Sequence, residues 1–297
     1  MIFINYYDKI KKELLNNEIT KKVKNYSINK SDLTTYYNVG KLLSEAGKHY
    51  GEGIIKEYSK RLINEFRRNF GITLLKRIRQ FYIVIEKGAT MSHQLSWSHY
   101  CELLPVNSID KINYYIKITE EQNLSVRELR TKIKNNEYER LDESTKEKLK
   151  EKEKLKVPDL VKNPIQIKNT SGNNEISEKV LQKLILEDIP SFLDELGNGF
   201  TFVKNEYKIK VGDRYNYIDL LLYNYEFNCF VVVELKVSEL KKEHIGQIEF
   251  YMNYIDKNLK NINQNKTIGI IICKKENRYV IEYCSDDRII SREYELV

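Results

Sequence analysis

Apolar positions recur at helical intervals along the first 141 residues. Ile55, Tyr58, Leu62 and Phe66 form one series; after a break at Gly71, Leu74, Leu75, Ile78, Phe81, Tyr82 and Ile85 form another. Spacings of three and four residues put each set on one face of a helix. Thr73 is the expected N-cap of the second helix. Further on, Ser125-Val126-Arg127-Glu128 has the form of a capping box opening a short helix through Leu129 and Ile133. Residues 1–141 therefore predict an all-α domain.

The pattern then changes twice. Residues 142–156 (DESTKEKLKEKEKLK) are almost wholly charged, and Pro158, Pro164 and a TSGNNE stretch prolong the break. Residues 142–175 thus predict a linker, part solvated helix or tether. An amphipathic helix is expected over 176–196, interrupted or bent near Pro190 and ending at Gly197. Strands follow at 200–210, 217–223 and 229–237, with Gly212-Asp213 as the first turn. Helical character returns over 239–256, and further strands are expected at 267–273 and 279–283. Residues 176–297 therefore predict an α/β domain with a mixed central sheet flanked by helices, in a chain that is α+β overall.

Composition agrees with two globular domains: 297 residues, 41% apolar and 31% charged. Apolar runs stay within strand length, well short of the roughly 20 residues of a membrane span. The N-terminal MIFINYYDKI lacks the features of a secretory signal, so a cytoplasmic location is expected. Cys101, Cys229, Cys273 and Cys284 form no CxxC and have no histidine at ligand spacing, which argues against a disulfide framework or a structural zinc site. The net charge of +7 is unevenly divided. Residues 1–160 carry 31 Lys and Arg against 22 Asp and Glu; residues 161–297 carry 19 against 21. An excess confined to one half suits an anion-binding module, although a generally Lys-rich chain would also produce it. Within that half, residues 56–87 hold nine basic residues against three acidic ones. Lys60, Arg61, Arg67, Arg68, Lys76, Arg77 and Arg79 are the candidate DNA contacts, with a solvated basic face as the alternative. Trp97 and Tyr100, among Leu95, Leu103 and Leu104, read as core anchors, and His93 and His99 as local hydrogen-bonding groups.

The candidate chemistry lies in the second half. Asp219 enters the apolar run of the second strand, and Glu234 and Lys236 interrupt the third, Val231-Val232-Val233-Glu234-Leu235-Lys236. Alternation puts Glu234 and Lys236 on one face. A short connection brings Asp219 beside Glu234. Two adjacent carboxylates entering a sheet repel each other and resist burial, and a divalent cation removes that penalty. Asp219, Glu234 and the carbonyl of Leu235 would hold Mg²⁺, with Lys236 orienting water or stabilising negative charge during phosphodiester hydrolysis. Taken alone, such a short and common pattern reads first as an edge-strand ion pair beside a strand-end aspartate.

The surrounding sequence narrows this. The segment IDLLLYNYEFNCFVVVELKVSELKKEHIGQIEFYMNYID, the IGIIIC strand, and the N-terminal YYNVGKLL, RQFY, LSWSHYCELL and LSVRELR resemble the YhcG family. That resemblance covers nearly the whole chain outside the linker and tail. It implies a restriction-endonuclease-like PD-(D/E)xK nuclease behind a helical domain, using Mg²⁺ or Mn²⁺. Asp219 and Glu234 would be its metal ligands, Lys236 its catalytic lysine, and Gln247 and Tyr251 the Q-x-x-x-Y element of RecB-type members. The implied partner is nucleic acid, most simply DNA, with no membrane role; homo-oligomerisation stays open. One departure is Gln182, where related members carry a glutamate; Glu178, one turn earlier, is the candidate substitute. An RNase, or a non-enzymatic DNA-binding or assembly subunit, are the competing readings.

Overall fold

The computed structural model describes residues 5–23, 28–51, 53–67, 69–170, 172, 175–284 and 286–297, with 20–23 and 28–31 described by backbone alone. It divides into two compact units, Met1–Tyr138 and Glu139–Val297. The described part of the first is helical: α1 (Tyr6–Val23), α2 (Ile28–Tyr50), α3 (Ile54–Phe66), α4 (Ile72–Glu86), α5 (Trp97–Leu103), α6 (Ile109–Gln122) and α7 (Val126–Lys134). The expected apolar faces form its core, with Ile55, Leu62, Leu75, Ile78 and Phe81 all buried. Gly40 sits where α2 crosses α4: a Cβ there would lie 2.5 Å from the Ile78 carbonyl oxygen, so only glycine permits the approach. The Ser125 hydroxyl and the Glu128 carboxylate cap α7 reciprocally, as the spacing predicts. Helix α4 begins two residues earlier than expected, with Gly71 rather than Thr73 as its N-cap. His99 caps α5 through Ser96, and Trp97 packs between Tyr36 and Phe81.

The second unit holds α8 (Glu143–Glu151), α9 (Val157–Leu160), β1 (Ile165–Ile167), α10 (Glu178–Glu187), α11 (Ile189–Leu196), β2 (Phe200–Val211), β3 (Arg214–Asn224), β4 (Cys229–Glu239), α12 (Lys242–Asn258), β5 (Ile268–Lys275), α13 (Arg278–Glu282) and β6 (Ile289–Leu296). Its six-stranded sheet runs β1-β6-β5-β4-β3-β2. The β2–β3 and β3–β4 pairs are antiparallel; β4–β5, β5–β6 and β1–β6 are parallel, so the sheet is mixed as expected. Strands β4 and β5 are nearly continuous apolar runs because both faces are covered. Val231, Val233, Leu235, Ile270 and Ile272 pack with α10 and α11, whereas Val232, Ile271 and Cys273 pack with α12.

The helix expected over 176–196 is interrupted near Pro190 rather than bent: Asp188 ends α10 and its carboxylate caps α11, with Pro190 in the first turn. Two expectations need correction. The predicted strand over 279–283 lies in helix α13 and the turn after it; the aromatic and β-branched Tyr279, Val280 and Ile281 mislead a strand reading, and β6 beyond it supplies the last sheet partner. Residues 142–175, expected as a linker, instead carry α8, α9 and β1. This strap is fastened to α11 and to β6 by buried cations. The Arg140 guanidinium bonds both Glu195 carboxylate oxygens and the Pro164 carbonyl. Arg292 donates to the carbonyls of Val161 and Pro158 and to Asp142. Gly197 has φ 106°, and a Cβ there would lie 2.8 Å from Leu160 Cβ, which records how closely the strap passes the end of α11.

Candidate active site

Asp219 lies where the sheet loses its regularity. In the register, Leu220 pairs with Val233, and no rung is recorded beyond it. The next positions outward on the two strands are Asp219 and Glu234. Across β2, Asn205 pairs with Leu220 and Tyr207 with Ile218, leaving Glu206 opposite Asp219 in a left-handed conformation, φ 46°. Ile218 and Leu221 both join the core on the α12 side although they are an odd number of positions, three, apart. Side-chain alternation therefore slips by one at Asp219, although the β2–β3 pairing keeps its register there and shifts only between Phe202 and Lys204. Its carboxylate Oδ2 accepts the Leu235 amide at 2.8 Å, where a continued ladder would offer a main-chain carbonyl. In extended strand a residue's N–H and C=O point to the same edge, so the Leu235 carbonyl is directed toward the same gap.

Glu234 is 1% exposed, and its Oε1 has no hydrogen-bond partner. Its Oε2 lies 3.4 Å from Lys236 Nζ, which is 3.8 Å from Glu178 Oε2. Glu178 sits in the first turn of α10, so the candidate substitute carboxylate does reach the site through the lysine. Gln182, 7% exposed, turns its amide to donate to the Asp219 carbonyl oxygen at 3.0 Å. On α12, Gln247 Nε2 donates to the Tyr251 hydroxyl at 3.3 Å, the i,i+4 contact expected of that pair. Tyr251 is 5% exposed in the core facing the site.

The electrostatics follow from this crowding. Burial, reinforced by Asp219, pushes the Glu234 carboxyl up to about 8 against the pull of Lys236. Burial also raises Asp219; Glu178 and Glu206 add to the effect, and the Leu235 amide and Lys236 oppose it. His244, at the start of α12, is held below its ordinary range by burial and then by Lys236. Sequence reasoning missed Glu206 and His244. Nothing in a local motif marks Glu206, since its relevance arises from strand register.

A divalent cation fits these residues. A buried carboxylate oxygen without a donor, beside a second carboxylate whose ionisation it opposes, is a deficit that positive charge relieves. Among the described residues no three His, Cys, Asp or Glu side chains converge as a metal cluster. The protein donors on hand are two carboxylates and the Leu235 carbonyl, a sparse oxygen set of the kind that leaves Mg²⁺ several waters.

The candidate nucleic-acid contacts lie in the helical unit, on α3, its C-cap and α4. Lys60, Arg67 and Lys76 are exposed, whereas Arg79 is half-buried. The Arg61 guanidinium lies 3.6 Å over the Tyr7 ring and 3.7 Å from Glu57, and Arg77 sits beside Cys101 and Glu102. Arg68 lies outside the described residues. Among the described residues, no helix is long and apolar enough to cross a membrane.

Comparison with known proteins covers both units. Residues 158–296 match the YhcG PDDEXK nuclease domain, and residues 10–140 match the DUF1016 N-terminal domain. "Putative nuclease YhcG" of Escherichia coli strain K12 is 24% identical over 317 aligned positions, spanning 91% of this chain and 84% of that protein. Among solved structures, a repair endonuclease from Pyrococcus abyssi is 19% identical with a TM-score of 0.29, covering 43% of this chain and 49% of that one. The structure titled as an EndoMS–dsDNA2 complex is 18% identical with a TM-score of 0.33, at 43% and 49% coverage. The nuclease-domain match begins inside α9 and so takes in the end of the strap and β1. With a DUF1016 N-terminal domain followed by a PDDEXK nuclease domain, the chain belongs to the YhcG family.

Proposed function

We propose that the protein is a divalent-metal-dependent nuclease that hydrolyses phosphodiester bonds in DNA. The observation that carries this is the buried, partnerless oxygen of Glu234 at the point where β3 leaves β4, with Asp219 opposite it on β3 and Lys236 alongside. Asp219, Glu234 and the Leu235 carbonyl would hold Mg²⁺ or Mn²⁺, which supplies Lewis-acid polarisation of the phosphate and a more acidic water. Asp219 is fixed for that task by the Leu235 amide on its side chain and by Gln182 on its main chain. The Lys236 ammonium, held between Glu234 and Glu178, stabilises negative charge developing on the phosphate oxygens. Gln247 and Tyr251 buttress the site from α12, and the exposed cations of α3 and α4 hold the DNA backbone.

The test is cleavage of linear, circular, single-stranded and branched DNA, and of RNA, with Mg²⁺ or Mn²⁺ and with Lys236→Ala as control. DNA cleavage that needs the metal and falls by 10²-fold or more in Lys236→Ala supports the reading. Cleavage of RNA alone would reassign the substrate. Gln182, whose amide stands where related members carry a carboxylate, favours the non-enzymatic reading, and no cleavage of any substrate would establish it.

A further inference from the structure

The β2–β3 hairpin continues past the last rung with β4 as a two-stranded arm. One face of the arm is apolar: Ile209 and Ile218 are buried in the α12-side core with Tyr207 against them. On the other face Lys208 pairs with Tyr217 and Lys210 with Tyr215. Directly opposite residues of an antiparallel pair project to the same side. Tyr215 and Tyr217 are 52% and 51% exposed. Lys208 Nζ lies 3.7 Å from the Tyr215 ring centroid and Lys210 Nζ 5.9 Å from it. Lys208 and Lys210 are exposed, and among the described residues neither makes an ion pair. This cationic, aromatic surface stands out in a half of the chain with no net positive charge.

The face leads to the candidate site. At about 3.4 Å per residue, Tyr217 and Tyr215 lie roughly 7 and 14 Å along the strand from Asp219. Those distances match successive steps of an extended nucleotide strand. Aromatic rings interleaved with cations are what a single strand needs: bases stack on the rings whatever their identity, while the ammonium groups neutralise phosphates. Bases inside an intact duplex are already stacked and offer the rings nothing.

We propose that the outer face of the β2–β3 arm holds a single-stranded segment next to the scissile phosphate, with Tyr215 and Tyr217 stacking on its bases and Lys208 and Lys210 on its phosphates. The preferred substrates are then single strands, overhangs or branched DNA rather than blunt duplex. This inference rests on the nuclease reading above.

The experiment uses the full chain and separates binding from cleavage. Binding of short fluorescent oligonucleotides, single-stranded or blunt duplex, is measured with Asp219→Asn protein in metal-free buffer. Adding Tyr215→Ala and Tyr217→Ala together should weaken single-strand binding about 10- to 100-fold and change duplex binding less than twofold. Tyr215→Phe with Tyr217→Phe should restore it. Lys208→Gln with Lys210→Gln, which leaves the strand-forming tyrosines intact, should reduce the magnitude of the single-strand salt slope by about 1.4. In proteins with intact Asp219, the same arm changes should raise KM for single strands and leave kcat within about twofold. Unchanged single-strand affinity and salt slope in both arm variants, equal losses on single strand and duplex, or no single-strand binding by the parent would overturn the proposal. Failure of cleavage with binding still arm-dependent would overturn the nuclease reading and leave the arm as a strand-binding surface.

Discussion

Glu195 and Glu234 are buried carboxylates of the same unit, 7% and 1% exposed, and their surroundings differ in kind. Glu195 is fully served: both oxygens meet the Arg140 guanidinium, Oε2 accepts the Gln166 amide at 2.9 Å, and Lys162 stands 3.9 Å away. Glu234 has one lysine at 3.4 Å, the Asp219 carboxylate opposite it on β3, and an oxygen with no partner. A saturated buried charge is a fastener, and here it clamps the strap to α11. A buried charge left short of donors is a cost that folding alone does not explain, and it marks where a ligand completes the structure.

The largest effect that would break this contrast is catalytic. Glu234→Gln should abolish metal-dependent cleavage, with a fall of 10³-fold or more in kcat, while the melting temperature stays at or above the wild-type value in chelator. Glu195→Gln should leave kcat within a few-fold. Equal activity losses in the two variants would erase the distinction.

The stability ranking should be the reverse. Removing one partner of a buried pair leaves the other uncompensated, so Arg140→Ala should cost on the order of 3–5 kcal/mol in denaturant unfolding. The metal-free protein should lose nothing comparable from Glu234→Gln. A fragment that begins at residue 176 lacks the strap and should fail to give a cooperative transition, whereas one beginning at residue 139 should fold.

A third, smaller effect is on pH. The Glu234 pKa of about 8 lies above the ordinary 4.5, so the folded state keeps a proton that the unfolded state releases. That stabilisation is complete below about 4.5 and is lost as pH rises through about 8. Metal-free stability should therefore decline between those values by an amount on the order of a few kcal/mol. Glu234→Gln should flatten the decline; an unchanged slope would show that Glu234 ionises freely.

The smallest predicted effect concerns the helical unit, where each phosphate contact contributes modestly. Lys60, Arg67 and Lys76 changed together to Gln should lower the magnitude of the duplex-DNA salt slope by about 2 to 3. Arg61 and Arg77, already engaged with Tyr7, Glu57, Cys101 and Glu102, should contribute less. An unchanged slope would move the duplex-binding surface elsewhere.

Much of this was legible in the sequence, and for physical reasons. Helices α3, α4 and α7 and strands β3, β4 and β5 announce themselves because their apolar residues or caps follow the pattern of their own element. Asp219, Glu234 and Lys236 stand out because they interrupt runs that are otherwise apolar. What stayed hidden depends on partners remote in sequence. Strand β1 has three residues and exists through its pairing with β6. In β6, Arg292 reads as a surface charge, yet it is buried by carbonyls some 130 residues away. The strap looks like a tether because α8 shows solvent its charged side, while the residues that fasten it, Arg140, Asp142 and Lys162, look no different from the rest. Glu206 meets Asp219 through register alone.

The central claim is that Asp219 and Glu234 form one cation site, and calorimetric titration of Mn²⁺ into the metal-free protein tests it most directly. Wild type should show saturable binding, with protons released in buffers near pH 7 as Glu234 ionises, and a rise in melting temperature that follows occupancy. Asp219→Asn and Glu234→Gln should each lose the binding isotherm, the proton release and the thermal shift, while Glu195→Gln keeps all three. Binding of equal strength in Asp219→Asn and wild type, or no saturable binding by the wild type, would contradict the account.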